Sequence, residues 1–241
     1  MFKHKGKTRT YSHNLQIASL LSFVAGLVNV AGFFSVQHLT TNVTGHFAFL
    51  MDEIIKSNYI TSIVFFLFIL FFFLGSFFSN FLIEIIGKRS ERFVYIVPVS
   101  IEIIVLILIG VFGNYLIDFN PNLIAFGLLF SMGLQNSLVT TISNSVVRTT
   151  HLTGLFTDLG IELSQLFFYT ELQQKTRLKY SIRLRLIIIF SFFLGGILGG
   201  YFYKYYGLYV LFFAALSLLI GLIYDSIKFR IILLHRKIRN L

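Results

Sequence analysis

Long runs of apolar residues, separated by short polar segments, dominate the pattern along this chain. An α-helix needs about 20 predominantly apolar residues to cross the ~30 Å hydrocarbon core of a bilayer. Six runs are long enough: Leu15–Val36, Tyr59–Ile86, Phe93–Ile117, Pro121–Ser145, Leu184–Lys204 and Gly207–Ile227. The pattern therefore predicts an all-α integral membrane protein with about six transmembrane helices.

Two shorter apolar segments begin at a polar phrase that occurs twice. TTNVTGHF at Thr40–Phe47 and TTHLTGLF at Thr149–Phe156 agree in five of eight positions at an offset of 109 residues. The segments that follow are predicted as short helices over residues 44–56 and 153–169. Each carries two carboxylates, Asp52 and Glu53 in the first and Asp158 and Glu162 in the second. We predict two half-helices that enter the membrane and return or, alternatively, full spans with polar interiors.

The repeat extends over both halves of the chain. GLVN at Gly26–Asn29 matches GLQN at Gly133–Asn136, and the FFLG that begins at Phe72 recurs at Phe192. The predicted halves of this single membrane domain are residues 15–117 and 121–227, flanked by basic tails at 1–14 and 228–241. Three spans per half is an odd number, so the second copy would be inverted, as is common among secondary transporters. If both phrase segments cross, eight spans and a parallel 4+4 repeat result.

The distribution of charge favours six spans. The chain has 20 Lys and Arg against 10 Asp and Glu. With six spans and both termini in the cytosol, only Lys56 and Lys204 lie on the far side. Eight spans place more basic residues there: Lys88, Arg89, Arg92, Arg148 and Lys204. The positive-inside rule prefers the first arrangement. Because the basic residues lie beside the apolar runs, we predict no nucleic-acid partner. The absence of Cys excludes thiolate metal sites, and the scattered histidines His38, His46 and His151 do not predict a metal site either. No cofactor is predicted.

The repeated phrase is the predicted centre of the functional site. Thr44 and Thr153 are predicted N-caps, because a threonine hydroxyl satisfies a free N–H there. Two half-helices would then direct their positive N-termini at a central site for an anion or a polar solute. Asparagines in the middle of the spans either bind helices together or line that site. The predicted substrate-pathway residues are Asn29, Thr44, Gly45, His46, Gln135, Asn136, His151, Thr153 and Gly154.

Three carboxylates are candidates for proton coupling, since ionisable groups inside a membrane are costly and often functional. They are Glu102, which lies alone in the third span, and Asp158 and Glu162, which follow the second phrase. The alternatives are a protonated packing residue for Glu102 and interfacial positions near the basic loop for the other two. The glycine-rich segment Gly195–Gly200 is predicted to bring helices into close contact, with a homo-oligomer as a further possibility.

The order of these motifs resembles the YoaK-like family of bacterial transmembrane proteins, which is defined by a domain of unknown function. The resemblance rests on SFVAGLVNVAGFFSV followed by TTNVTGHF, and on SMGLQNSLV followed by TTHLTGLFTDLG, and covers about residues 14–226. It implies a multi-pass protein of the bacterial inner membrane and no settled activity. The chain departs from the family pattern at Asn29, where the family tends toward Asp, at His46, where it tends toward Asn, and at Thr140, where it often carries Arg.

These observations favour a secondary transporter or channel for a small polar or anionic solute, with its site at the interface between the repeats. The alternative is a membrane scaffold, sensor or partner subunit without transport activity. An intramembrane enzyme is not predicted, because the chain contains neither H-E-x-x-H nor G-x-S-x-G. The predicted partners are the lipid bilayer and an unidentified solute, and both termini are predicted to be cytosolic.

Overall fold

The computed structural model describes residues 10–88 and 93–239, with side chains up to Ile227. Most of the predicted N-terminal tail and the side chains of the C-terminal tail lie outside this description. The described residues form eight α-helices and no strand. The helices are α1 Tyr11–Val36, α2 Val43–Ile55, α3 Tyr59–Gly87, α4 Ile96–Phe119, α5 Pro121–Ser143, α6 Leu152–Phe168, α7 Leu172–Tyr206 and α8 Leu211–Arg239.

Five helical stretches within the described residues are long and apolar enough to cross a membrane, and the last of them contains two passes. That stretch, Leu172–Ile227, is interrupted by the 3-10 turn Gly207–Val210, where Gly207 has a φ of +55°. The rings of Phe202 and Phe213 stack at 5.4 Å across the turn, whereas eleven residues of straight helix would separate them by about 16 Å. The chain therefore reverses, and α1, α3, α4, α5, α7 and α8 supply the six predicted spans.

The most extensive contacts between helices join helices of different halves. α1 packs mainly against α7, and α3 mainly against α5. Along the first pair the residue numbers rise together, since Tyr11 meets Tyr180 and Phe34 meets Tyr203, with ring centroids 4.8 and 5.8 Å apart. The second pair behaves in the same way: Phe71 stacks on Phe126, Ser76 donates to the carbonyl of Gly133, and Thr141 donates to Asn80. Both pairs are therefore parallel.

The first spans of the two halves run in opposite directions. Gln135 of α5 donates to the carbonyl oxygen of Leu21 at 3.0 Å, and Leu128 approaches Gly32 further along α1. α1 and α5 are therefore antiparallel, and the repeat is inverted as predicted. α2 links the end of α1 to the start of α3 at one side of the bundle, and α6 links α5 to α7 at the opposite side. Neither short helix crosses, so the parallel eight-span alternative is wrong.

Glycines let the paired helices meet backbone to backbone. At each of four positions, a Cβ would overlap a carbonyl oxygen of the facing helix. The contacts are Gly26 with Phe192, Gly195 with Phe23, Gly133 with Phe72 and Gly75 with Phe130. The repeat relates the first two contacts, between α1 and α7, to the last two, between α3 and α5. The two helix crossings therefore share one geometry. The glycine-rich stripe of α7 thus packs against α1 of the same chain, while a homo-oligomer through Gly195–Gly200 stays a prediction.

The inverted arrangement predicts opposite accessibility for two matched loops. The chain has no Cys, so Ser57→Cys and Thr170→Cys each introduce a single thiol into an exposed loop, one after α2 and one after α6. In intact cells, a membrane-impermeant maleimide should label only Ser57→Cys, and Thr170→Cys should react after permeabilisation. Labelling of both thiols from the same side would contradict the inverted repeat.

The glycine crossings predict a position-specific effect on stability. Gly133→Ala introduces a methyl group where the carbonyl of Phe72 lies, which should destabilise the fold by about 1–3 kcal/mol. Gly160→Ala is the matched control, because a Cβ at Gly160 would meet no atom within 4 Å and alanine favours a helix by about 1 kcal/mol over glycine. The apparent melting temperature in detergent should fall for the first variant and not for the second. Equal effects would refute close backbone packing.

Candidate functional site

The loop before α2 folds back into the bundle. Thr41 donates its hydroxyl to the Oδ1 of Asn29 at 2.7 Å, and Thr40 donates to the carbonyl of Val28 at 3.4 Å. Asn29 lies seven residues, or about 10 Å of helix, before the end of α1 at Val36. α2 therefore begins inside the bundle and rises back to the end from which the loop entered. This is the geometry of a half-helix.

The second half repeats this arrangement from the opposite end. Thr149 and Thr150 donate to the Oδ1 of Asn136 at 3.3 and 2.9 Å. Gln135 donates to the Oγ1 of Thr149 as well as to α1, so it is buried and does not line a cavity. Asn136 lies seven residues before the end of α5, as Asn29 does in α1. Both asparagines therefore hold a re-entrant loop at depth.

The predicted N-caps are wrong by about two residues. Asn42 precedes α2, and its Oδ1 accepts the backbone N–H of Gly45 at 3.1 Å. His151 precedes α6 and makes no side-chain cap bond. Thr44 and Thr153 instead lie in the first turns of the helices. An asparagine caps a helix as well as a threonine does, and the hydroxyls of Thr40 and Thr41 are engaged with α1, so Asn42 caps α2 two residues before Thr44.

The two half-helices begin at a common cavity of about 940 Å³. Most of its wall consists of residues that are equivalent under the repeat. The pairs are Asn29 and Asn136, Thr41 and Thr150, Asn42 and His151, Val43 and Leu152, Thr44 and Thr153, and Phe72 and Phe192. Because the first N–H groups of a helix have no intrahelical partner and carry partial positive charge, both halves contribute hydrogen-bond donors to this space.

Arg148 breaks the symmetry of the cavity. It lines the wall at the position that Leu39 occupies in the other half. It is the one Lys, Arg, Asp or Glu among the described residues of this wall, and it makes no ion pair or hydrogen bond with the described residues. Sequence reasoning counted Arg148 as a loop charge and missed it. When the repeat alignment is extended by one residue before each phrase, Arg148 aligns with Leu39, which belongs to the loop that folds back into the bundle.

A second cavity of about 420 Å³ adjoins the first on the side of α6 and shares Arg148 and His151 with it. Gly154, Asp158 and Arg185 also line this space. A cavity of this kind is expected where a half-helix is only partly packed against the bundle. Of the predicted pathway residues, the first cavity is lined by Asn29, Thr44, Gly45, Asn136, His151 and Thr153. Gly154 lines only the second cavity, and Gln135 and His46 line neither.

Asp158 and Glu162 are paired with a single arginine of α7. Arg185 contacts Glu162 through two hydrogen bonds of 2.9 Å and reaches Asp158 at 2.9 Å. Ser181 also donates to Glu162 at 2.6 Å. Glu162 is nearly buried, with 13% of its side chain exposed, whereas half of Asp158 is exposed. This polar network attaches α6 to α7.

The first half uses aromatic packing at the equivalent positions. Phe49 and Phe65, which match Asp158 and Arg185, stack at 5.3 Å. His46 packs on Phe68 at 5.0 Å and places its Nε2 2.6 Å from the carbonyl oxygen of Leu39. His46 is therefore buried beneath α2 and does not line either cavity.

The carboxylates of α2 lie at its outer end. Lys56 pairs with Asp52 at 2.5 Å and with Glu53 at 3.7 Å. The hydrogen bond to Asp52 raises the pKa of Lys56 above its ordinary value. Glu53 also accepts a hydrogen bond from Asn58. These groups surround the exposed turn between α2 and α3, away from the central cavity.

Glu102 lies apart from both cavities. It is fully buried in α4, and neither carboxyl oxygen has a hydrogen-bond partner among the described residues. A buried polar group without a partner is costly, and no lining residue connects it to the solute space. Of the three candidates for proton coupling, only Asp158 lines a cavity. Within residues 10–88 and 93–239, no three His, Asp or Glu side chains converge as metal ligands would.

A sequence model described as "Protein of unknown function (DUF1275)" matches residues 17–224. The match covers most of the chain and confirms the resemblance to a family defined by a domain of unknown function. No curated protein matches the chain. No solved structure matches it.

The ion-pair network predicts that α6 depends on Arg185. Arg185→Gln leaves Glu162 nearly buried without its cation, which should cost roughly 1–3 kcal/mol after allowance for partial exposure. Lys56→Gln is the matched control in the first half, because that pair is exposed and contributes little to stability. The apparent melting temperature in detergent should fall clearly for Arg185→Gln alone. Equal small changes would show that the network does not attach α6.

Proposed function

Because the chain belongs to the DUF1275 family, whose description names no activity, we propose its function from its structure. It is a secondary transporter or channel for a small polar or anionic solute, and the solute binds in the central cavity. The proposal rests on one observation: two inverted half-helices begin at the same cavity, whose wall includes asparagine and threonine residues. Interrupted helices of this kind form the solute sites of many secondary transporters, near the middle of the bilayer. The proposal assigns no catalytic residue, cofactor or nucleic-acid partner.

The unequal packing of the half-helices supports transport. On the side of α6, a second cavity extends from the central one toward the end of the bundle. On the side of α2, the aromatic cluster around Phe65 and Phe68 fills the equivalent space. An inverted repeat relates two such ends by symmetry, so an exchange of their packing would expose the same site to the other side. The proposed transport cycle would open the cavity to one end at a time.

The distribution of charge supports an orientation. The end of the bundle at α6 carries Lys88 and the basic first turns of α7, with Lys175, Arg177 and Lys179. The opposite end carries Lys56. Under the positive-inside rule the α6 end faces the cytosol, so we propose that both termini are cytosolic. The bacterial inner membrane is the location that the family resemblance implies.

A flux assay with a blocked cavity tests this function. The purified protein is reconstituted into liposomes and tested with sugar alcohols, amino acids, small carboxylates and inorganic anions. At least one solute should enter faster than in protein-free liposomes, and Thr153→Phe, which fills the cavity wall, should abolish that flux. Ile63→Phe is the matched control, because Ile63 is exposed on the outer surface of α3. No flux of any solute would refute transport, and stable co-purification with one partner would then favour the scaffold alternative.

A further inference from the structure

We propose that the central cavity selects small solutes with a single oxyanion group, and that Arg148 binds that group. This inference rests on the proposed function and specifies its substrate class. Carboxylates and inorganic oxyanions share the chemistry that would be recognised, since a guanidinium donates two parallel hydrogen bonds to either. The cavity of about 940 Å³ has room for either class of solute.

The charges around the cavity favour an anion over a cation. No Asp or Glu lies among the described residues of its wall, whereas Arg148 does. Arg185, by contrast, is paired with two carboxylates in the neighbouring space and leaves no positive charge over. Within the central cavity, a cationic solute would therefore meet an unpaired positive charge and no carboxylate. An anionic solute would meet a cation that has no partner among the described residues.

The backbone of Arg148 lies close to the level of the site. Arg148 directly precedes Thr149, which donates to Asn136 about two helical turns inside the end of α5. Arginines at such depth normally pair with another group or face a water-filled cavity. Arg148 is exposed, pairs with no described residue and lines both cavities, so its guanidinium is accessible to a solute there. A solute anion would then serve as its counter-ion.

The surrounding donors complement an oxyanion. Val43 and Leu152, the first residues of α2 and α6, lie in the wall, so the positive ends of both half-helices face the same space. Thr44 and Thr153 belong to the same wall. These groups reinforce the charge of Arg148 from the two opposite ends of the bundle. They also supply the hydrogen bonds that a desolvated anion needs.

The asymmetry of the repeat predicts the charge of the solute. The equivalent of Arg148 is Leu39, so the site contains one guanidinium and not two. One formal positive charge balances one negative charge. We therefore expect a preference for monovalent anions over divalent ones of similar size.

Binding to the purified full-length protein in detergent tests this inference without requiring flux. The probes are acetate, nitrate, sulfate, succinate and the neutral solute glycerol, at constant ionic strength set with the bulky sulfonate MES. Acetate or nitrate should raise the melting temperature in a saturable manner, with sulfate, succinate and glycerol less effective. Acetate and nitrate together distinguish an organic from an inorganic source of the oxyanion. Arg148→Gln should weaken the binding at least tenfold, and Arg148→Lys should weaken it less.

Two further variants separate a binding role from a topogenic one. Lys88→Gln removes a positive charge at the same end of the bundle but outside the cavity, and it should leave anion binding unchanged. The double variant Leu39→Arg with Arg148→Leu transfers the cation to the equivalent wall position of the other half. It should retain anion affinity within about tenfold of the natural chain, because either position faces the same cavity.

The outcomes distinguish this inference from the proposed function. Saturable anion binding that Arg148→Gln abolishes, without flux in liposomes, would support the inference and refute transport. Flux of a neutral solute that Arg148→Gln leaves unchanged would support transport and overturn the inference. Equal loss of binding in Lys88→Gln and Arg148→Gln would also overturn it, because a loop charge would then explain the effect.

Discussion

Irregular backbone inside a membrane must be covered and hydrogen-bonded by the protein itself, and the rest of this structure depends on that constraint. Lipid offers no donor or acceptor to a loop, so such a loop survives only within protein or beside a wet cavity. Here Asn29 holds Thr41 and Asn136 holds Thr150. Each hydrogen bond anchors a re-entrant loop to the helix that precedes it. Without these anchors, neither half-helix would begin at the depth where the cavity lies.

The same constraint explains why the halves interlock. A re-entrant loop is covered only if other helices close around it, and α1 and α3 of one half are each packed against a helix of the other. The crossings at Gly26 and Gly133 bring backbones together so closely that no side chain fits between them. In a membrane such packing replaces the hydrophobic effect as the force that joins helices. Because each half supplies one partner to each crossing, neither half can form the cavity alone.

The sequence predicted most of this architecture because the decisive features are local or repeated. The number of spans follows from the length of apolar runs, and the inversion follows from the odd number of spans in each half. The phrase at Thr40 and its copy at Thr149 revealed the re-entrant loops, since polar residues so placed need protein partners. The six spans and two half-helices are all present in the structure.

The contacts that the sequence did not reveal join residues through space. The pairing of Arg185 with Asp158 and Glu162 connects two helices across more than twenty residues, and no spacing rule fixes such a pair. The role of Arg148 was hidden for a different reason. Charge counting treats every arginine near a span as topogenic, and only the depth of the loop distinguishes this one. The helix starts were misplaced because Asn42 and Thr44 are both good N-caps.

The differences between the halves have a physical meaning that the repeat makes visible. Two identical halves would give two conformations of equal energy, one open at each end. Here Phe49 stacks on Phe65 at one end, whereas Asp158 pairs with Arg185 at the other. Aromatic packing excludes water from beneath α2, while an ion pair keeps its polar groups near the solvated cavity beneath α6. For the proposed transporter, these differences would separate the energies of the two conformations and favour the one that opens beside α6. Arg148 lies on that same side and lines both cavities, so the one charged residue of the central wall is found where the packing beneath its half-helix is open.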